Sequence, residues 1–445
     1  MSAILLGLHR PTLKLVFKLA IPNIISNITI PLLSLVDVTL AGHMDYSAAI
    51  GGVTIASGIT NTLYWLFGFL RFGTTGLVAQ AYGRSSVSDI CTQLGRSIFL
   101  GIICSLLLLT LSWPVISFAG VMAVGNQVMT QDAADYMRII FMGAPATMGI
   151  YVLNGFFIGM QNTKSPMIAA ISANIINIAL SVLLVRGYHL GVAGLAIGTT
   201  AAQYSSLAIL IVLALRKHGR VLRFLRPAHL IHPTGMGYFL RLGLNLMIRS
   251  ALLSAVMLFF TYGGTVQGEV AVAANALLMQ FFSLFSYFMD GFAYAGEALS
   301  GRYYGMHRSD LLLRLIRNLM LMGTFFAVGA LIIYLLFPEP ILGLLSNDPG
   351  VVGEAMKYRY WIALVPLTGF TAFIWDGINV GITCSRELMF SMVVATPLFF
   401  LLYFTITPVW PGHALWLAFN AYLLSRGIVQ EVLFHTGILK TLRKW

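Results

Sequence analysis

The sequence predicts an all-α integral membrane protein, with twelve transmembrane helices forming two six-helix bundles related by a parallel pseudo-two-fold repeat. Three observations predict it. First, 58% of the 445 residues are hydrophobic and only 9% are charged, with a mean hydropathy of +0.86. A soluble domain carries roughly a quarter charged residues. Second, apolar runs recur at the pitch of one membrane span plus a loop, roughly 30–40 residues. Third, the chain matches itself after a shift of 222 residues.

Runs bounded by charge or by Gly, Pro and Asn lie at about 15–40, 48–82, 95–118, 136–160, 166–186, 191–215, 238–262, 270–300, 315–337, 357–382, 388–407 and 413–435. Strands cannot cross lipid unless closed into a barrel, and the runs lack barrel alternation, so each reads as a helix. The first follows Arg10 and Lys14 but extends for about 20 residues, which makes it a span rather than a cleaved signal. It also contains Pro22 and Pro31, two candidate bending points. The second and eighth runs exceed what a bilayer needs, which predicts tilt or extension beyond it.

Loop charge sets the orientation. With the N-terminus inside, inside segments hold 21 Lys and Arg, while outside loops hold only Arg138, Arg186, Lys357 and Arg359. Both termini are therefore expected in the cytoplasm. The expected organisation is a lobe over 1–215, a basic cytoplasmic linker over 216–237 and a second lobe over 238–445. On this reading the net charge of +12 orients the chain in the membrane, and nucleic acid is not a partner. Cys91, Cys104 and Cys384 lie far apart without CxxC spacing, so no metal site or disulfide framework is expected. There is no HExxH, no P-loop and no nucleophile–base pair, so no cofactor and no enzymatic activity are expected.

In the 222-residue register Tyr82-Gly83 falls on Tyr304-Gly305, and Tyr136 on Tyr358. Asn154-Gly155 and Gly159 fall on Asp376-Gly377 and Gly381, and Thr163-Lys164 on Ser385-Arg386. Six spans per half make the repeat parallel, an arrangement associated with secondary transport and a substrate site near the midplane. The Gly155/Gly159 and Gly377/Gly381 pairs are accounted for by close helix packing. The neighbouring Asn154/Asp376 pair is not.

Six ionisable groups within the apolar runs are the candidates: Asp37, Arg71, Arg249, Asp290, Glu297 and Asp376. Charge in a bilayer is costly and invites a functional explanation. At about 1.5 Å per residue, Arg249, Asp290 and Asp376 reach a similar depth, and Glu297 sits nearer the cytoplasmic edge. A buried ion-pair cluster and a functional site fit these groups equally well. Asp37 has only Arg71 as an obvious cation in its half. A carboxylate in such surroundings can load and release a proton. Asn174, Asn177 and Ser181 recur at one-turn intervals on the fifth helix, with Thr199 on the sixth. They read either as helix glue or as polar neighbours of Asp37, and Asn154 joins that candidate group.

Asn27-Ile-Thr-Ile-Pro-Leu-Leu-Ser-Leu-Val-Asp37 with Ala41-Gly42-His43 resembles the first helix of multidrug and toxic compound extrusion (MATE) transporters. Asp290-Gly-Phe-Ala-Tyr-Ala-Gly-Glu297, Asn174-Ile-Ile-Asn177, Gly191-Val-Ala-Gly194 and His413-Ala-Leu-Trp-Leu-Ala resemble the DinF-like bacterial branch. The resemblance implies a monomeric exporter of lipophilic, cationic small molecules, resident in a phospholipid bilayer and driven by inward flow of protons or sodium. By position it makes Asp37 the coupling carboxylate, with Asn177 and Thr199 beside it and Asp376 as the acidic position of helix ten. Many relatives have an aspartate where this chain has Ser181. That loss removes an anionic ligand for sodium and leans towards protons. Sodium-coupled efflux and a lipid-linked oligosaccharide flippase of the same superfamily remain the alternatives.

Overall fold

A computed structural model describes residues 10–42, 48–122, 127–230, 235–265 and 267–442. In order the helices are α1 (Arg10–Gly42), α2 (Ala48–Leu66), α3 (Phe69–Gly83), α4 (Val87–Met122), α5 (Gln127–Met142) and α6 (Ala144–Gly159). There follow α7 (Lys164–Val182), α8 (Gly191–Leu222), α9 (Pro227–Leu230), α10 (Met236–Thr265), α11 (Glu269–Gly305) and α12 (Ser309–Leu336). The last are α13 (Pro338–Leu345), α14 (Pro349–Lys357), α15 (Arg359–Gly381), α16 (Ser385–Ile406), α17 (His413–Leu433) and α18 (Leu439–Leu442). If α2/α3 and α5/α6 each count as one rod and the short α9, α13, α14 and α18 are set aside, the twelve expected rods are present among the described residues. Nine helices there are long and apolar enough to cross a membrane, or ten with the bent α5/α6 pair.

Two breaks are local chemistry that the hydropathy pattern passes over. The second run divides at Phe67–Gly68, where turn bonds run from Phe67 N to Tyr64 O and from Gly68 N to Trp65 O, both 3.0 Å. The fourth bends by 48° at Gly143. Pro145 follows at the start of α6 and has no N–H to continue the ladder. The eighth run needs no break, since α11 is one helix of 37 residues. α1 likewise runs as one helix through Pro22 and Pro31.

The sequence repeat reappears as repeated contacts. A Cβ on Gly155 would lie 2.6 Å from the Arg71 carbonyl oxygen, and one on Gly377 would lie 2.7 Å from Ala293 Cα. A Cβ on Gly159 would lie 2.8 Å from Val78 Cβ, and one on Gly381 would lie 2.9 Å from Gly301 N. Shifting Arg71 by 222 gives Ala293, and shifting Ala79, beside Val78, gives Gly301. The α3–α6 and α11–α15 seams are therefore one interface built twice. In both, glycine lets the backbones touch.

The chain divides into two compact units, 25–243 and 1–24 with 244–445. This differs from the expected boundaries at 215 and 238. In the second unit Phe17 packs edge-on against Phe292 with centroids 6.2 Å apart, and Ile24 and the Ala20 carbonyl close over Gly291. In the first, Phe239 and Leu242 cover Gly73, and Phe69 lies over Gly243. The cut thus runs through α1 and α10. The segment 216–237 falls inside the first unit, with α8 continuing as helix to Leu222.

Candidate functional site

In the unit 25–243, α7 presents Asn177 and Ser181 to α8. Asn177 Nδ2 donates to Thr199 Oγ1 at 3.1 Å, Ser181 Oγ donates to Asn177 Oδ1 at 3.3 Å, and Thr199 Oγ1 donates to the Leu195 carbonyl at 3.1 Å. Asn177 and Ser181 are buried, at 3% and 0% exposure. The approach needs Gly198, because a Cβ there would fall 2.5 Å from Ser181 Oγ. Asn174 turns the other way, and its Nδ2 donates to Thr29 Oγ1 on α1 at 2.7 Å. Thr29 Oγ1 in turn donates to the Ser26 carbonyl at 2.7 Å.

The predicted polar residues of α7 thus divide into two arms, one to α8 and one to α1. Asp37 lies on α1 two turns beyond Thr29, roughly 12 Å along the axis. Its side chain is outside the described residues. Asn154 does not join either arm: its Oδ1 is buried with no partner among the described residues. Arg71 is buried on α3 with its guanidinium 4.0 Å from the Phe72 ring centre.

The second unit holds charge instead. Asp376 on α15 receives three donors. Arg249 Nη2 from α10 and Arg426 Nη2 from α17 both donate to Oδ2, the latter at 2.8 Å. Gln430 Nε2 donates to Oδ1 at 2.9 Å, and Asn379 Nδ2 donates to Gln430 Oε1 at 3.0 Å. Arg426 also stands 5.4 Å from the Tyr422 ring centre. The side chains of Arg249, Asp376 and Arg426 are 8%, 13% and 3% exposed, so this ion group is buried. The partner of Arg249 in this group is Asp376. Asp290 and Glu297 lie on α11, half-buried and 2% exposed respectively.

Arg426 and Gln430 escape the sequence reading because Arg426 sits close enough to the basic C-terminus to count as a loop charge. That count is corrected to 20 inside against 4 outside, and its sign is unchanged. The signal that could have found the pair is Tyr422, Arg426 and Gln430 at one-turn intervals, a polar stripe on an otherwise apolar helix.

The profile of the MatE family matches residues 22–183 and again 244–405, two stretches standing in the same 222-residue register. DNA damage-inducible protein F of Escherichia coli K12 is 35% identical over 421 residues, covering 93% of this chain and 90% of its own. A probable multidrug resistance protein NorM of Thermotoga maritima is 25% identical over 349 residues, covering 76% and 73%. Among solved structures, a MATE in the bent conformation superposes with a TM-score of 0.88 at 17% identity, over 97% of this chain and 96% of that one. An outward-facing multidrug resistance MATE transporter gives 0.83 at 17% identity, over 97% of both. At such identities the structural likeness establishes the fold.

Proposed function

The chain belongs to the MatE family, and on that premise we propose that it exports lipophilic, cationic compounds in exchange for protons. It does so as a monomer in the bacterial cytoplasmic membrane, with both termini cytoplasmic. The observation that carries the reading is the neutrality of the α7–α8 network. Ser181, Asn177 and Thr199 satisfy one another without a carboxylate. Of the five acids in the sequence before residue 244 (Asp37, Asp45, Asp89, Asp132 and Asp135), only Asp37 lies deep in an apolar run. Asp89 pairs with Arg84 and Asp135 with Arg138.

A proton arriving from outside neutralises Asp37 and weakens its hold on a cationic substrate. Helix α1 then favours another arrangement about Pro22 and Pro31, where the prolines lack backbone donors. The Asn174–Thr29 bond lies between these prolines, so a changed α1 is felt directly on α7. Substrate leaves outward, and the proton leaves inward on the return. Coupling requires the two arrangements to bind the proton with different affinity. Sodium is the weaker alternative because the α7 position that would supply a second carboxylate is Ser181.

The rival reading, a flippase for a pyrophosphate-linked lipid, draws on Arg426. With Arg249 it puts two guanidiniums beside one carboxylate. Both already bind Asp376, which favours a cationic cargo.

The test is uptake of a fluorescent cation by proteoliposomes under separately imposed proton and sodium gradients. The proton gradient alone should drive wild-type transport, and Asp37→Asn should reach the membrane but show none. Undiminished proton-driven transport by Asp37→Asn would remove Asp37 from the mechanism, and transport driven by sodium alone would replace the coupling ion.

A further inference from the structure

We propose that the exposed arginines of the stretch Arg216–Arg226 form a docking surface for anionic phospholipid headgroups. The stretch holds Arg216, Lys217, Arg220, Arg223 and Arg226, and the sequence has no Asp or Glu between Asp135 and Glu269. All five cations are exposed. Among the described residues none of the four arginines has an ion-pair partner. Three exposed arginines elsewhere are paired: Arg84 with Asp89 at 3.1 Å, Arg138 with Asp135 at 2.8 Å, and Arg308 with Asp310 through two nitrogens at 2.8 and 2.9 Å.

The surface is built, not slack. His218 departs from helical geometry at φ −122° and sits between Phe156 and Phe157 of α6, with ring centroids 5.5 and 5.7 Å away. Lys217 Nζ donates to Ser165 Oγ at 3.0 Å, and Cys91 Sγ donates to the Val221 carbonyl at 3.3 Å. Beyond the arginines, a Cβ on Gly95 would lie 2.6 Å from the His229 carbonyl oxygen, so α9 rests directly on α4. These attachments to α4, α6 and α7 fix the backbone that carries the arginines, which lowers the ordering cost of binding.

Position and composition select the occupant. The apolar run of α8 ends at about Leu215 and the helix itself at Leu222, so the cations stand where the helix leaves the hydrocarbon. Leu215 and Phe224, both 60% exposed, flank them. Apolar side chains interleaved with arginine suit a membrane interface, where the rings enter the acyl boundary and the guanidiniums meet phosphate. A soluble polyanion would satisfy the arginines but would leave Leu215 and Phe224 in water.

Native mass spectrometry of the full-length protein, released from micelles containing equimolar phosphatidylglycerol and phosphatidylcholine, tests this. Wild type should retain phosphatidylglycerol in preference, with affinity falling about fivefold for each cation removed. R216Q/R220Q/R223Q should lose the preference and R216K/R220K/R223K should keep it. R84Q/R308Q, which removes cations already paired, should also keep it. Millimolar inorganic phosphate should not displace the lipid. Wild-type retention by the triple glutamine variant, an equal loss in R84Q/R308Q, or displacement by phosphate would each overturn the proposal. Retention is read without any gradient, so its failure is separable from failure of the transport reading.

Discussion

Asp376→Ala should be the most damaging single change in the charged cluster. It strands two buried guanidiniums that share Oδ2 and leaves Gln430 Nε2 without its acceptor. Removing one partner of a buried ion pair costs about 3–5 kcal/mol. Here two like charges are left facing each other, which puts Asp376→Ala at or above the top of that range. Arg426→Met leaves Asp376 bound to Arg249 and Gln430 and fills the slot with an apolar chain. It should cost about 1.5–3 kcal/mol, the value of one hydrogen bond to a charged group. The combination Asp376→Ala with Arg249→Met should recover only part of the loss, because Arg426 remains. Adding Arg426→Met should recover most of the rest. From the sequence alone, pairing Arg249 with one aspartate predicts full recovery in the double variant. Thermal unfolding of purified protein, read by size-exclusion chromatography beside membrane abundance, ranks the four variants. Asp376→Ala as stable as Arg426→Met, or full recovery in the double variant, would refute the three-donor cluster.

The other predictions concern topology, packing and the α1–α7 link. A cysteine at Asn347 should react with an impermeant label from outside, while one at Arg220 should be protected in intact cells; the reverse would invert the charge-based orientation. Gly155→Leu and Gly377→Leu should both reduce recovery of monodisperse protein to a similar degree, since each puts a side chain where the facing backbone stands; tolerance of either breaks the equivalence of the two seams. Asn174→Ala should leave abundance near wild type, because the lost bond is worth about 1 kcal/mol. It should nonetheless slow proton-driven efflux, and unchanged initial rates would remove the Thr29 link from the mechanism.

The helices were legible because hydrocarbon permits so few backbone solutions. Run ends such as 270–300 against Glu269–Gly305 differ by only a few residues. The Asn177–Ser181–Thr199 chain was legible too, since polar residues at one-turn spacing on an apolar helix must find partners on a neighbour. What the sequence hid were features that depend on which side chain meets which. Gly143 reads as one of 43 glycines, yet with Pro145 it bends a span. Arg426 reads as terminal charge, yet it lies 3% exposed against Asp376. Phe17 meets Phe292 and Phe239 meets Gly73, pairings that hydropathy does not encode.

The repeat explains why the two units can differ chemically without differing in build. Gly155 and Gly377 make the same close approach, and the residue before each, Asn154 or Asp376, is carried to an equivalent place on its bundle. Asp376 meets two arginines and a glutamine there. The residue 222 positions before Arg249 is Asn27, and the one before Arg426 is Tyr204. The first unit thus lacks both cations at the equivalent positions, and its residue is the neutral Asn154, whose Oδ1 stays unpartnered among the described residues. A carboxylate at 154 would be buried without the guanidiniums that hold Asp376, and burial of an unpaired charge is the costlier state. This leaves the acid deep in an apolar run of the first unit on α1, at Asp37, where the helix contains two prolines and receives a hydrogen bond from Asn174 of α7. The second unit holds Asp376 among three helices, whereas Asp37 of the first lies on α1, which contains two prolines. The proton exchange proposed above needs that asymmetry, because a group that must change protonation cannot also be the group that fixes the fold.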